Sequence, residues 1–586
     1  MQPKFNKFPT VQVNHCEDTL IASWENILTQ IQCAINSCSR KKVILVVECY
    51  QGVIHEDIID SLIKKLSADH LFYTSDSFLT EEKIQAITHE YVTDDRVFGY
   101  MTSLTMTDLF DRGQLEQHQK TIQQIEDGLV IIYGHGASLF VSNPDILVYA
   151  DIARWEIQQR MRNNQVNNLG LSNKEEHAEL KYKRGFFLDW RLCDSLKKRI
   201  FSAVNYFLDT NDQEHPKMIT GKALRQGLEM VVQRPFSLVP FFDKGPWGGQ
   251  WLKEVCDLDR SKENYAWCFN CVPEENSILL GFGQQVFESP AINLVFYQPD
   301  SLLGKKVRAR FGDEFPIRFD YLDTMDGGNL SLQVHPLTSY IREKFGMFYT
   351  QDESYYLMDG KPDGIVFLGL KEKINQHDMT DALLNVENNG GWFDAEKFVE
   401  SWPAKKHDHM LIPAGTIHCS AKNTIVLEIS ATPYIFTFKL WDWGRMGLDG
   451  RPRPTHVEHG LHNIQWDRDK KWVEKNLINK IEIIEEGDGW TEEKTGLHEL
   501  EFIETRRHWF SKKVTHHTHG GVNVLTLVEG DVIVVESPKD AFPPFTVNYA
   551  ETFIVPAVVG PYTIRPAKET TGEKYATIKA FVRTED

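Results

Sequence analysis

Four residues in the second half of the chain have types and spacings that can hold a divalent metal. In the run LSLQVHP, Gln333 and His335 stand at i and i+2 of a strand-like pattern, so both side chains leave one face of a sheet. Glutamine offers a carbonyl oxygen and histidine an imidazole nitrogen, and a divalent cation accepts both. One histidine on an apolar strand is more often a satisfied core residue, so this pair decides little by itself. Two further elements add to it. Glu353 in QDESYYLMD precedes the next strand pattern and is placed to bring a carboxylate to the same face. His418 in LIPAGTIHC follows a Pro-Ala-Gly turn that sets an imidazole at a strand start. A Gln, His, Glu, His set without a thiolate suits Zn²⁺, with room left for a water or a sugar oxygen.

Other motifs carry less. Cys268 and Cys271 form a CxxC, but no second pair stands at zinc-ribbon distance, so both are read as ordinary thiols. In the first half, VILVV leads through Glu48-Cys-Tyr-Gln-Gly52-Val-Ile-His55 into a helical pattern, where a phosphate-binding loop would need several glycines and a Gly-Lys-Ser/Thr end. This turn has one glycine and a carboxylate that repels phosphate. Gly221-Lys222 lacks the upstream glycine and is followed by Ala223. The histidine-rich THHTHGG at 515–521 is followed by a glutamate only at Glu529, too distant for a usual HxH metal motif.

These residues need elements to position them. From about 17 to 215, apolar runs such as KKVILVVE and DGLVIIYG alternate with helix-patterned stretches, which predicts parallel strands joined by helices. From about 240 onward, short β-branched and aromatic runs broken by Gly, Pro and Asp predict antiparallel sandwiches or jelly rolls. With 586 residues the chain exceeds a single core. The 64 Lys+Arg against 83 Asp+Glu give a net charge of −19, which opposes nucleic acid and anionic membranes, so any anionic substrate must be held by a local cluster of cations. No run is long enough to span a bilayer, MQPKFNKFPT lacks a signal-like apolar stretch, and nine scattered cysteines fit a reducing compartment, so a cytoplasmic location is expected.

The segments PWGG (246–249), LSLQVHP (330–336), DESYYLMD (352–359), WPAKKHDHMLIPAGTIH (402–418) and TFKLWDWGR (437–445) resemble, in order, the signature blocks of the class I mannose-6-phosphate isomerases. The resemblance covers about residues 235 to 586. It implies one zinc per chain held by Gln333, His335, Glu353 and His418, two cupin domains, and interconversion of mannose 6-phosphate and fructose 6-phosphate or of a related sugar phosphate. The first half resembles a degenerate nucleoside or uridine kinase-like scaffold in pieces. The implied organisation is an α/β kinase-like domain at 1–215, a connector at 216–245, a metal-binding cupin at 246–445 with a helical insertion near 371–402, and a second cupin at 446–586. Laying IVPAVVGPY on LIPAGTIHC puts Pro561 where His418 stands, so the second cupin is expected to lack metal.

Two positions depart from the family. Gln351 replaces a lysine common in bacterial relatives, and Lys439 replaces the family's catalytic arginine, keeping charge but not the planar fork of donors. Proton transfer between C1 and C2 through an enediol needs a base and a group that stabilises the oxyanion. The resemblance implies Lys439 for the second task and Arg445 for the phosphate. The base stays open among groups beside His418, a water in the site, and Glu428. Two alternatives remain: a non-catalytic or regulatory sugar-binding protein, and a bifunctional one with an N-terminal phosphotransferase.

Overall fold

The computed structural model describes residues 5–14, 20–446, 452–496, 498, 500–568 and 574–584. The chain divides into two compact units, one of Thr10–Met230 with Ser277–Tyr297 and one of Met1–Pro9, Val231–Asn276 and Gln298–Asp586. Among the described residues no helix is long and apolar enough to cross a membrane.

The first unit is α/β. Its larger sheet comprises β1 (Leu20–Ala22), β2 (Lys42–Cys49), β3 (His70–Tyr73), β4 (Gly128–Gly134), β5 (Ile146–Asp151), β6 (Tyr206–Asp209) and β7 (Lys217–Thr220), in the spatial order β1-β7-β6-β5-β2-β4-β3. The five from β2 to β6 are parallel. Val43–Cys49 and Ile146–Asp151 are buried throughout, as expected of parallel strands covered on both faces. Helices supply that cover. The helix Trp24–Ser37 is capped by Ser23, and Arg112–Gln124 by Asp111, whose carboxylate accepts the Gln114 N–H at 3.0 Å.

Residues 216–245, expected as a connector, begin as structure of this unit. β7 pairs antiparallel with β6, and the helix Gly221–Val231 follows it. Gly221 is required by packing, since a side chain there would collide with the Val204 carbonyl. The segment Ser277–Tyr297 also returns to this unit, as the hairpin Ser277–Phe282 and Gln285–Pro290 with the helix Ile292–Tyr297.

The second unit holds two β sandwiches. In the first β domain, β8 (Phe241–Asp243), β9 (Trp267–Cys271), β10 (Arg318–Asp323), β12 (Glu353–Gly360), β15 (His409–Ile412) and β17 (Thr424–Ser430) make a sheet ordered β15-β12-β17-β10-β9-β8. Facing strands β11 (Leu332–Val334), β13 (Ile365–Leu370), β14 (Val399–Pro403), β16 (His418–Ser420) and β18 (Phe438–Trp441) are ordered β14-β13-β16-β11-β18. The expected insertion appears as the helix Gln376–Asn389 before β14.

The second β domain repeats this plan. Strands β19 (Glu482–Gly487), β20 (Trp490–Gly496), β21 (Ile503–Phe510), β23 (Asn523–Glu529), β26 (Thr552–Val555) and β28 (Tyr575–Val582) are ordered β26-β23-β28-β21-β20-β19. Opposite them lie β22 (Val514–His517), β24 (Val532–Glu536), β25 (Phe545–Asn548) and β27 (Pro561–Pro566), ordered β25-β24-β27-β22. Its core is apolar and aromatic, including Leu525, Leu527, Ile533, Val535, Phe553 and Ile564.

Candidate metal centre

The short strand β11 explains why Gln333 belongs to the site. It pairs with His418 of β16 on one side and Lys439 of β18 on the other, so three side chains leave the same face in one row. His335 follows at the end of β11, and Glu353 opens β12 on the facing sheet. The Pro-Ala-Gly turn is held from several directions. The Gly415 N–H donates to the His335 carbonyl at 2.9 Å, Gly415 takes φ +86°, and Arg468 donates to the carbonyls of Pro413 and Ala414. His418 therefore enters the sandwich at a fixed angle.

Gln333, His335, Glu353 and His418 are 8, 1, 0 and 0% exposed. His335 Nε2 lies 3.1 Å from Glu353 Oε2, and His418 Nε2 lies 2.9 Å from Glu353 Oε1. Both imidazoles are oriented from behind: Nδ1–H of His335 donates to the Phe436 carbonyl and Nδ1–H of His418 to the Thr416 carbonyl, each at 2.9 Å. A neutral imidazole so held carries its lone pair on Nε2. Two nitrogen lone pairs thus face a carboxylate in a dry interior, which is stable only with a cation or proton among them. His335 Nε2 and Glu353 Oε1 are buried without a hydrogen-bond partner. The Gln333 amide stands 3.2 Å from His418 Nε2, and its oxygen reaches the same space by rotation of the amide plane. Among the described residues, the ligand atoms of His335, Glu353 and His418 all fall within 4.8 Å of one another. The donor set and its outer hydrogen bonds fit a divalent metal.

The electrostatics agree with this geometry. Burial pushes the His335 imidazole down, but the Glu353 carboxylate outweighs it and leaves the ring easier to protonate than usual. Burial opposes ionisation of Glu353 too, and the two histidines overcome it, holding its carboxyl well below the usual range.

Gln351 bridges the site to a second carboxylate. Its Nε2 donates to Glu353 Oε2 at 2.8 Å and to Glu428 Oε1 at 3.0 Å, while its Oε1 accepts the Phe436 N–H. Glu428 is buried and also accepts from Ser430 at 2.7 Å. Burial, then Asp320 and Glu353, push its carboxyl well above the ordinary range. Sequence reasoning missed Asp320, which lies directly opposite Glu428 in the sheet and pairs with Arg318 at 3.1 Å. The available signal was RFD, two charges at i and i+2 in a strand, whose positions are both 2% exposed or less.

Lys439 is half-buried on the same face as Gln333 and His418. Arg445 is held by Asp442, to which its Nε and Nη2 donate, and its guanidinium packs 5.5 Å from the Trp247 ring. Cys268 and Cys271 are free, buried thiols on β9.

Matching sheet orders give a residue-by-residue equivalence between the β domains. Glu353 pairs with Ile412 and Ser430, and Asn523 pairs with Val555 and Phe581 in the corresponding strands. Gln333 faces His418, and His516 faces Tyr562. Tyr562, rather than Pro561, thus occupies the place of His418, because the turn after Pro556 is one residue longer. The Asp320–Glu428 pair corresponds to Arg506–Lys579. Of the 515–521 cluster, His516 is buried, whereas His517 and His519 are exposed.

In the α/β unit the loop after β4 presents the Gly136 and Ser138 N–H groups, but Glu48 fills them, accepting at 2.6 and 2.8 Å. The chain's own carboxylate takes the donors that a phosphate would use.

Comparisons with known proteins divide the chain in a similar way. Residues 23–233 match a family described as a domain of unknown function, DUF8485, so the kinase-like expectation finds no support. Over about 40% of its length the chain is homologous to mannose-6-phosphate isomerases. It is 23% identical over 238 residues to mannose-6-phosphate isomerase ManA of Bacillus subtilis, covering 40% of this chain and 69% of that protein. It is 24% identical over 229 residues to the mannose-6-phosphate isomerase of Streptococcus mutans, covering 39% and 66%. The crystal structure of the Bacillus subtilis mannose 6-phosphate isomerase aligns with TM-score 0.47 and 19% identity, covering 59% of this chain and 99% of that one. A mannose 6-phosphate isomerase structure bound with zinc and yttrium aligns with TM-score 0.46 and 11% identity, covering 60% and 100%.

Proposed function

We propose that the chain is a zinc-dependent aldose–ketose isomerase acting on mannose 6-phosphate and fructose 6-phosphate or on a closely related sugar phosphate. The observation that carries this reading is the convergence of two oriented Nε2 lone pairs on the buried Glu353 carboxylate, in a chain homologous to mannose-6-phosphate isomerases. Gln333, His335, Glu353 and His418 hold the metal, one per chain. Zinc, when bound, supplies Lewis acidity toward a sugar oxygen.

The remaining roles fall to side chains around that set. Glu428 moves the proton between C1 and C2. Its buried carboxyl, facing two other acids, is far easier to protonate than a surface glutamate, which suits a group that must both take and return a proton. Gln351 fixes its distance from Glu353 through one shared amide nitrogen. Lys439, in the row of Gln333 and His418, directs its ammonium toward the developing oxyanion. Arg445 serves the phosphate end, anchored in place by Asp442.

The non-catalytic reading rests on Gln351 and Lys439, where the family carries lysine and arginine. A coupled assay of the zinc-loaded protein with mannose 6-phosphate separates the two. Turnover that disappears in His335→Ala supports the isomerase. Stoichiometric binding of the sugar phosphate without turnover supports the non-catalytic protein.

A further inference from the structure

The second β domain carries polar groups where an ordinary sandwich core would be apolar. His516 on β22 is 4% exposed and both ring nitrogens lack a hydrogen-bond partner. His508 on β21 lies against it, with ring centroids 4.3 Å apart, and its Nδ1 is also unpartnered. Thr577, directly opposite His508 on β28, is fully buried with an unpartnered hydroxyl. Leaving such atoms dry and unpaired costs stability, so three neighbouring residues doing so marks a place meant to be filled.

The charges beside them set what fills it. Lys579 is 7% exposed and pairs across the sheet with Arg506. A single oxygen, Glu492 Oε1, serves three groups: His508 Nε2 at 3.0 Å, Arg506 Nη1 at 3.0 Å and Lys579 Nζ at 3.7 Å. Arg506 Nε also donates to Glu504 Oε1 at 2.6 Å, while the acceptor that Lys579 Nζ meets is the shared Glu492 oxygen, at 3.7 Å. Asn523 and Tyr562, at the positions equivalent to Glu353 and His418, add an amide and a phenol joined by a 3.0 Å hydrogen bond. With Glu504 and Glu492 drawn on by Arg506 and His508, the donors of Lys579, His516 and Thr577 exceed the close acceptors, which calls for an oxyanion. One acceptor is also fixed: because His508 gives its Nε2–H to Glu492, its Nδ1 bears a lone pair and asks for a hydroxyl. A phosphate ester of a polyol supplies both.

We propose that the second β domain binds a phosphate monoester of a small hydroxylated molecule among His508, His516, Thr577, Lys579 and Arg506, the place that the metal-ligand set takes in the first β domain. The site is distinct from the one assigned to catalysis and stands or falls independently of it.

The test uses the full chain carrying His418→Ala and Arg445→Ala and treated with chelator, so that both the metal set and the phosphate end of the first site are out of play. Calorimetric titration with inorganic phosphate and with mannose 6-phosphate is expected to show saturable binding of both, tighter for the ester, and none with mannose. Lys579→Met and His516→Phe should each weaken binding by ~10–100-fold. In case a variant fails to fold, hydrogen exchange on the same chain without those changes gives a second readout, with amides of β21 and β28 protected by phosphate. No heat and no protection with millimolar phosphate or ester would overturn the proposal. So would binding that both folded variants leave unchanged.

Discussion

The two β domains share a strand order and differ in what they place at one end of the sandwich. In the first, Glu353 meets a pair of histidines, while Glu428 and Asp320 face each other across the sheet with Arg318 as the counter-charge. In the second, Asn523, Lys579 and Arg506 hold those positions, with Glu504 where Arg318 stands. Apolar residues on inward positions, such as Leu525, Phe553 and Val555, are sufficient to hold the fold. The end of the sandwich is then free to vary, and the cation proposed for one domain and the anion proposed for the other follow that difference in charge.

The largest expected effect falls on the first domain. His335→Ala should strip the metal and lower kcat/KM by ~1,000-fold or more, corresponding to the several kcal/mol a bound cation contributes to charge stabilisation. Elemental analysis together with the coupled assay measures both, and the α/β unit should stay folded by circular dichroism. Metal retained at full occupancy in this variant would break the comparison at its root.

Lys439→Ala should lower kcat by ~100–1,000-fold with metal content unchanged, as for the loss of one oxyanion donor, while Lys439→Arg keeps or improves turnover. An unchanged kcat removes Lys439 from the chemistry. In the second domain, Leu525→Ala should destabilise by ~2–5 kcal/mol through the cavity it leaves, without touching metal content, and a denaturant melt reports it.

A contrast with the α/β unit gives the next effect. Burial lowers His55 to about 4 and His135 to about 3, and their Nε2 atoms are hydrogen-bonded to each other at 3.0 Å. A depressed histidine pKa favours folding above the ordinary value and loses that contribution as pH falls through the folded one. Between about pH 6.5 and 4, His55 alone should withdraw roughly 3 kcal/mol from this unit. Melts followed at pH 7 and pH 4.5 should show the loss, and His55→Gln should flatten it. The smallest effect is at the rim of the second domain, where Arg565→Ala breaks a pair with Glu536 and should cost under ~1 kcal/mol.

The cluster of His335, Glu353 and His418 was legible because QVHP and IPAGTIH combine candidate ligand types with the period of a strand and a forced turn. Arg318 and Asp320 were not, since charges alternating on a strand usually face water, and only the second sheet reveals that this face is buried. Tyr562 was displaced by one position because the longer turn at Val558–Gly560 shifts the register, which aligned prolines conceal. The stretch TGKALRQGLEMV reads as a connector when flanked by prolines, yet Gly221 packs against Val204 and starts a helix of the α/β unit. Alternating strands and helices forecast the parallel sheet but not its chemistry, because Glu48 closes the N–H groups of Gly136 and Ser138 from another strand.

The central claim, that the two β domains carry the same architecture with a metal assigned to one end of the first alone, is tested most directly by anomalous diffraction at the zinc edge on crystals of the full chain grown with zinc. The account predicts one strong peak per chain, enclosed by Gln333, His335, Glu353 and His418. A peak between His508 and His516, or none beside Glu353, would contradict it.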